Sequence, residues 1–339
     1  MGLAARRVPP STAWWPQPVA LLLPVLAAAT GLAGLGWAVA AVRTGRSGAA
    51  VAAGIHLLVA GAAGARAVGG GEGEAGSPVP SFRVLTLNAA YSRRGDADLI
   101  SRRFQTEQPH VVALQEVSIR PHASSGGWVA QGAGLALLTD STYALTRLSR
   151  PEAGDGWLTN GTALFTRLPA SRSDAVLLDT VSVTNSGRYT RTEVEWEGTR
   201  VAVYNVHFRS FTTPRPWRAG GGAKAWVAAV RSSGRDFVAR EAEARTLRRA
   251  LDAEALPFVV LGDFNATPDH WSYAHVSRGL VDALGATLGR AATYPDRRPL
   301  VRIDAILASP EWAVRRASVQ PAGVSDHRPV LAELVLRRP

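Results

Sequence analysis

A chain of 339 residues with 46% hydrophobic content holds material for one large or two ordinary domains. It contains no cysteine, which excludes disulfides, thiolate zinc sites and cysteine nucleophiles together. Five arginines against two acids give residues 1–79 a net +3 of the total +11, leaving +8 for the rest. That balance favours anionic partners, although with one lysine (Lys224) among 38 basic residues it equally reflects an arginine-rich composition.

In chain order, residues 1–68 read as a membrane region. An apolar run without charge extends from Val19 to Val42, and a hydrocarbon core takes about 20 residues to cross. Trp14, Trp15 and Trp37 sit near its ends, where aromatic belts form. A second, weaker run covers residues 48–65 and includes His56, and the short stretch from Arg43 to Ser47 would turn the pair into a hairpin. A cleaved signal peptide is the competing reading, with Ala38–Ala41 as a small-residue site, but the run is longer than a signal core and another follows it. Arginines lie before, between and after the runs, so the positive-inside bias does not orient them. The expectation is a membrane protein with the side of its domain undetermined and the exterior favoured.

Residues 69–80 form a glycine-rich linker, and a folded domain is expected over 81–339. Arg83–Asn88 reads as a strand with a polar tip, Asp96–Glu107 as an amphipathic helix, and Val111–Glu116 as a buried strand ending on a carboxylate. Residues 119–160 read as loop-rich. Strands are expected over 161–167 and 175–183, then a hairpin of 191–196 and 200–205 about Glu197-Gly198, leading into His207. The stretch from 208 to 234 mixes Phe211, Trp217 and Trp226 with Arg215, Arg218 and Lys224 around three glycines. Such a mixture could stack on bases, settle at a headgroup region, or fold Trp226 onto the core. A helix is expected over 235–252, helical turns over 271–278 and 280–284, and closing strands over 302–308 and 329–336.

The most informative stretch is Pro257–Asn265. Four apolar residues run into Gly262-Asp263-Phe264-Asn265 before Pro268 turns the chain. On an extended backbone Asp263 and Asn265 point the same way and Phe264 points back into the protein. Other polar tips accumulate at Asn88, Glu116, His207, Asp304, Asp326 and His327. Taken singly, His207 reads as a packed histidine, Asp304 as a turn acid and Ser325-Asp326 as a bend cap. His110, His122, His270 and His275 match no motif and read as structural.

In this order the pieces Leu87-Asn88, Leu114-Gln115-Glu116-Val117, Asn205-Val206-His207, Gly262-Asp263-Phe264-Asn265, Ile303-Asp304 and Ser325-Asp326-His327-Arg328-Pro329 resemble the endonuclease/exonuclease/phosphatase family. The resemblance covers about 81–336 and, with the apolar runs before it, is to bacterial membrane-anchored members, which implies a bacterial cell membrane. It implies a deoxyribonuclease-I-like α+β fold, a four-layer αββα sandwich, here preceded by the two transmembrane helices. It implies a Mg²⁺-dependent phosphoric ester hydrolase, with Mn²⁺ as the alternative ion, acting on nucleic acid or on a phospholipid headgroup. Glu116, Asn88 and Asp326 would serve the metal. Asp263, His327, His207, Asn265 and Asp304 would carry the chemistry, and Arg167 and Arg328 would touch substrate. The competing function is an inactive membrane-tethered module that binds nucleic acid or lipid headgroups. Ala90 and Ala305 depart from residues that relatives carry, which bears on substrate contacts.

Overall fold

The computed structural model describes residues 5–45, 47–64, 79–89, 102, 106–121, 128–130, 142–149, 158–178, 187–211, 222–285, 291–320, 323 and 325–337. The folded domain is built on two mixed sheets packed face to face. One contains β1 (Phe82–Asn88), β2 (Val111–Pro121), β3 (Trp128–Ala130), β4 (Ala144–Ser149), β5 (Leu158–Thr166), β12 (Trp312–Val319) and β13 (Val330–Leu336). Its order is β12-β13-β1-β2-β5-β4, with β3 on β2. The other runs β10 (Val281–Asp282), β11 (Asp304–Ala308), β9 (Phe258–Asp263), β8 (Thr199–His207), β7 (Arg188–Trp196) and β6 (Ala170–Leu177).

Strand alternation decides where each side chain goes. Val84, Val111, Ala113, Val201, Val203, Val259, Leu261, Ile306 and Val330 face inward and make the core between the sheets. Tyr204, Val206, Phe258, Val260 and Leu307 face the other way. They are covered by Ala244, Leu247 and Leu251 of α3 (Ala223–Asp252) and by Trp271, Tyr273 and Val276 on α4 (Trp271–Val276). Three of the four expected layers are therefore present among the described residues. The helix expected over 96–107 lies almost wholly outside them. The β7–β8 hairpin turns on Glu197 (φ 50°) and Gly198 (φ 72°), the two-residue geometry whose twist matches that of the strands.

Several expectations are corrected. Residues 280–284 are not helical: they form β10 and a turn, because Val281 and Asp282 pair with Ala308 and Leu307. The segment 119–160 is less loop-rich than its weak periodicity implies, since β3, β4 and parts of β2 and β5 fall within it. Helix α3 begins twelve residues earlier than its buried period announces.

The N-terminal region forms α1 (Pro16–Thr44) and α2 (Ser47–Gly64), which pack against one another. Among the described residues, however, no helix is long and apolar enough to cross a membrane. The expected transmembrane pair is thus met by two helices and a tight turn but not by a span; the side chains of 21–28, the most apolar stretch, are not among those described. The segment before α1 and the first turn of α1 are strapped to the domain. Ser11 donates to Glu241 from its N and its Oγ (2.7 and 2.9 Å), and Gln17 Oε1 accepts from Trp271 N (3.1 Å). Gly234 leaves room for the Trp14 indole, whose ring a Cβ would meet at 2.8 Å.

Candidate active site

The inward rows of both sheets end in polar residues at the same end of the sandwich. Asn88 closes β1, His207 closes β8, Asp263 closes β9, and Asp304 opens the antiparallel β11 directly opposite Asp263. Two apolar faces held about 10 Å apart thus share a polar mouth. Glu116 should point outward by parity with Leu114. A register shift between Leu114 and Val117 and a left-handed φ of 50° at Glu116 turn it to the mouth instead, as bulges beside active sites do.

The mouth is tightly wired. Asn88 Nδ2 donates to Asp263 Oδ2 (2.9 Å) and Glu116 Oε1 (3.2 Å). Asn265 is not extended but left-handed (φ 45°), so its N donates to Asp263 Oδ1 (2.8 Å) while its Nδ2 donates to Phe208 O (2.9 Å). Asn265 therefore positions Asp263 rather than standing beside it, and Phe264 is buried against Phe208 and Tyr273. His327 Nδ1 donates to Asp304 Oδ2 (2.9 Å), with the Tyr294 ring 4.9 Å from the imidazole. Ser325 Oγ donates to Asn88 O (2.7 Å) and accepts from His327 N (3.1 Å), pinning this loop to the end of β1.

Charge is concentrated here. Burial, and then the Asp304 carboxylate, push the Asp263 carboxyl well above the usual range. Burial also raises Glu116, against the hydrogen bond from Asn88. Burial works to lower His327, but Asp304 and then Asp263 more than reverse it, and the imidazole is held protonated up to about 10. His207 is the opposite case: burial, Arg188 and His327 lower it to about 3, so it is neutral. Its Nε2 is buried with no hydrogen-bond partner, 3.7 Å from Glu116 Oε1 and 3.8 Å from Asp263 Oδ2. A buried polar atom in that state costs free energy unless something enters the mouth to meet it.

These observations test the fit of a cation. Three carboxylates converge, two of them resisting ionisation, and a divalent ion would relieve that repulsion. Among the described residues, Asp263, Asp304 and His327 are the group whose ligand atoms all lie within 4.8 Å of one another. With His327 Nδ1 committed to Asp304, that group is better read as a histidine–carboxylate pair beside a base than as an ion cage. Glu116, whose side chain is 20% exposed, offers the more accessible oxygen.

The remaining expected residues fall elsewhere. Asp326 is exposed at the rim and touches the mouth through its field alone. Arg328 Nε is spent on Asp296 O (2.9 Å) and Oδ1 (3.2 Å). Arg167 follows β5, whose Thr166 pairs with Val111, so it sits at the opposite end of the sheet from Glu116, about 16 Å of strand away. Arg167 is therefore remote from the mouth, whereas Arg328 stands beside it with its Nε engaged. Four other groups were not among the expected site residues. Gln115 Nε2 donates across the sheets to Asn205 Oδ1 (2.7 Å), a polar bridge under the mouth. Arg188 is buried in register with His207. Glu243 accepts from Gly187 N and Arg209 N (2.8 and 3.0 Å), clasping the entry to β7 and the exit from β8. Arg240 donates to Asn265 O beneath the Phe211 ring. Gln115 and Asn205 stand inside matching motifs, which was their one signal.

The model of the Endonuclease/Exonuclease/phosphatase family matches residues 85–327, well over half of the chain. The chain belongs to that family. Endonuclease/exonuclease/phosphatase members are generally phosphoester hydrolases and typically use divalent metals. Solved structures share the fold. A family protein from Leptotrichia buccalis superposes with a TM-score of 0.54 at 19% identity, over 75% of this chain and 99% of its own. A mannosyl-6-phosphatase from Bacteroides thetaiotaomicron gives 0.53 at 19% identity, over 76% and 100%. The human Nocturnin catalytic domain gives 0.51 at 21%, over 76% and 94%. No curated protein sequence matches the chain. Residues 1–84 lie before the family match.

Proposed function

We propose that this chain is a divalent-metal-dependent phosphodiesterase, held at a membrane by residues 1–68 and tethered through 69–80 to a catalytic domain over 81–339. The observation that carries the chemistry is the mouth itself: a neutral His207 with an unmet Nε2, a protonated His327 and a raised Asp263 facing one small space. Glu116 and Asn88 would hold Mg²⁺, and the bound ion supplies charge neutralisation at phosphoryl oxygens.

The chain's own residues divide the rest. Asp263, fixed through both oxygens by Asn88 and Asn265, takes the proton of the attacking water, and its raised proton affinity suits a base near neutral pH. His327, protonated and oriented by Asp304, stabilises charge developing across the phosphoryl group. His207 donates from Nε2 to a phosphoryl oxygen, which satisfies its unmet group. This division gives His327 the cationic role and leaves Asp263 the base.

The test is hydrolysis by the full chain of bis(p-nitrophenyl) phosphate, p-nitrophenyl phosphate, single-stranded DNA, RNA and phosphatidylglycerol vesicles, with Mg²⁺, Mn²⁺ or EDTA. Turnover is expected with metal and is lost in EDTA. Asp263→Asn and His327→Ala should each fall by about 10²-fold or more. Rates unchanged in both variants overturn the site; tight binding of a polyanion without turnover replaces the enzyme by a binding module.

A further inference from the structure

We infer that the N-terminal half of α3 is a lipid-contact surface that rests on an anionic bilayer and holds the catalytic mouth at headgroup level. This rests on the membrane location proposed above.

Helix α3 is divided along its length. Its C-terminal half buries Leu247 and Leu251 against the sheet, and Arg240 reaches Asn265 at the mouth. It returns through a short connection to β9, so it runs opposite to that strand and its N-terminal half projects on the mouth side. The residues before Arg240 extend about 25 Å at helical rise. On this overhang Trp226, Val227, Val230 and Val238 are 51, 50, 50 and 40% exposed. Lys224, Arg231 and Arg235 are exposed among them, while the one acid, Asp236, is buried. Cations interleaved with large apolar side chains are what an interfacial helix presents to anionic lipid.

A second observation identifies the occupant. Trp14 lies against Gly234 on the same overhang, and the chain enters α1 two residues later. Trp15, Leu32, Leu35, Val39 and Val42 of that region are themselves exposed. The apolar surface of α1 and that of the overhang are therefore joined by the strap. A cavity of about 850 Å³ where the strap meets the overhang is lined by Trp14, Arg209, Arg231, Arg235, Asp236 and Val238, room for headgroups with basic partners.

The cysteine-free chain allows a direct test. Val230→Cys, Val39→Cys and Arg249→Cys, the last an exposed residue on the far half of α3, are labelled with an environment-sensitive dye. The full chain is placed in nanodiscs of phosphatidylcholine, with or without phosphatidylglycerol, carrying a shallow lipid-borne quencher. Val230 is expected to be quenched several-fold more with phosphatidylglycerol than without, and Arg249 to stay unquenched in both. Arg231→Glu with Arg235→Glu should abolish quenching at Val230 and leave hydrolysis of a soluble phosphodiester unchanged. Quenching at Val39 but not at Val230 overturns this surface alone; no quenching at either overturns the membrane location with it. Protection of Val230 that depends on protein concentration rather than lipid replaces the bilayer by a second copy of the chain.

Discussion

Asp304 holds His327 in place and, by its charge, holds the proton on it. Asp304→Asn keeps the shape and removes the charge, so kcat should fall about 10²–10⁴-fold with little change in Tm. Because the two residues act as one unit, Asp304→Asn combined with His327→Ala should be no slower than His327→Ala alone. Steady-state rates of the three variants decide this, and a multiplicative loss would mean that they act separately. Residues of this sort were legible in the sequence, since a carboxylate or histidine at the end of an apolar run has nowhere else to go but a strand tip. The residues that set their geometry were not. Arg188, Arg240 and Glu243 look like ordinary members of a strand and a helix, and burial alone reveals them. Arg167 misleads for the same reason, as charge in the sequence says nothing about which end of a sheet it reaches.

At the scale of elements, the close approach of β8 and β9 depends on Gly262. Its φ is 150°, and a Cβ there would be driven into the Val206 carbonyl oxygen. Gly262→Ala should cost about 3 kcal/mol or more, a fall of about 6–12 °C in Tm for a domain of this size. Calorimetry checks it, and an unchanged Tm would show that the strands can part without penalty. Most strands of both sheets were legible from alternation and turn residues. β3, β4, β10 and β12 were not: β3 and β10 are only three and two residues long, and β4 and β12 each pair through a register shift. The early start of α3 was hidden for a different reason: its first half packs little against the domain and so carries no buried period. The bulge at Glu116 is likewise invisible to a two-residue period, which assigns that side chain to the wrong face.

The molecule as a whole should be sensitive to acid. Burial lowers His110 to about 4 and His270 to about 3. Both must stay neutral when folded but take protons when unfolded, so stability is full above about 6.5 and falls as pH drops toward those values. Glu254 adds to this lower down. Burial pushes it up, but Arg191 and Tyr204 hold it at about 2, so its contribution is lost as pH falls from about 4.5. Asp263 and Glu243, whose carboxyls burial raises, work in the other direction, so the contributions are read by difference. In EDTA, His110→Gln should flatten the Tm profile between pH 6.5 and 4 relative to the parent chain, and Glu254→Gln the part below about 4.5. Profiles parallel to the parent would contradict these burials. The cross-sheet pair of Gln115 and Asn205 has a mechanical consequence. At the mouth the two sheets are riveted by directional bonds, whereas at the other end Phe82, Trp196 and Trp312 meet through aromatic faces that can slide. Thermal breathing should then swing about the mouth like a hinge. Amide exchange beside Gln115 and Asn205 should be slower than beside Phe82, so the reaction centre would outlast the opposite end of the sandwich.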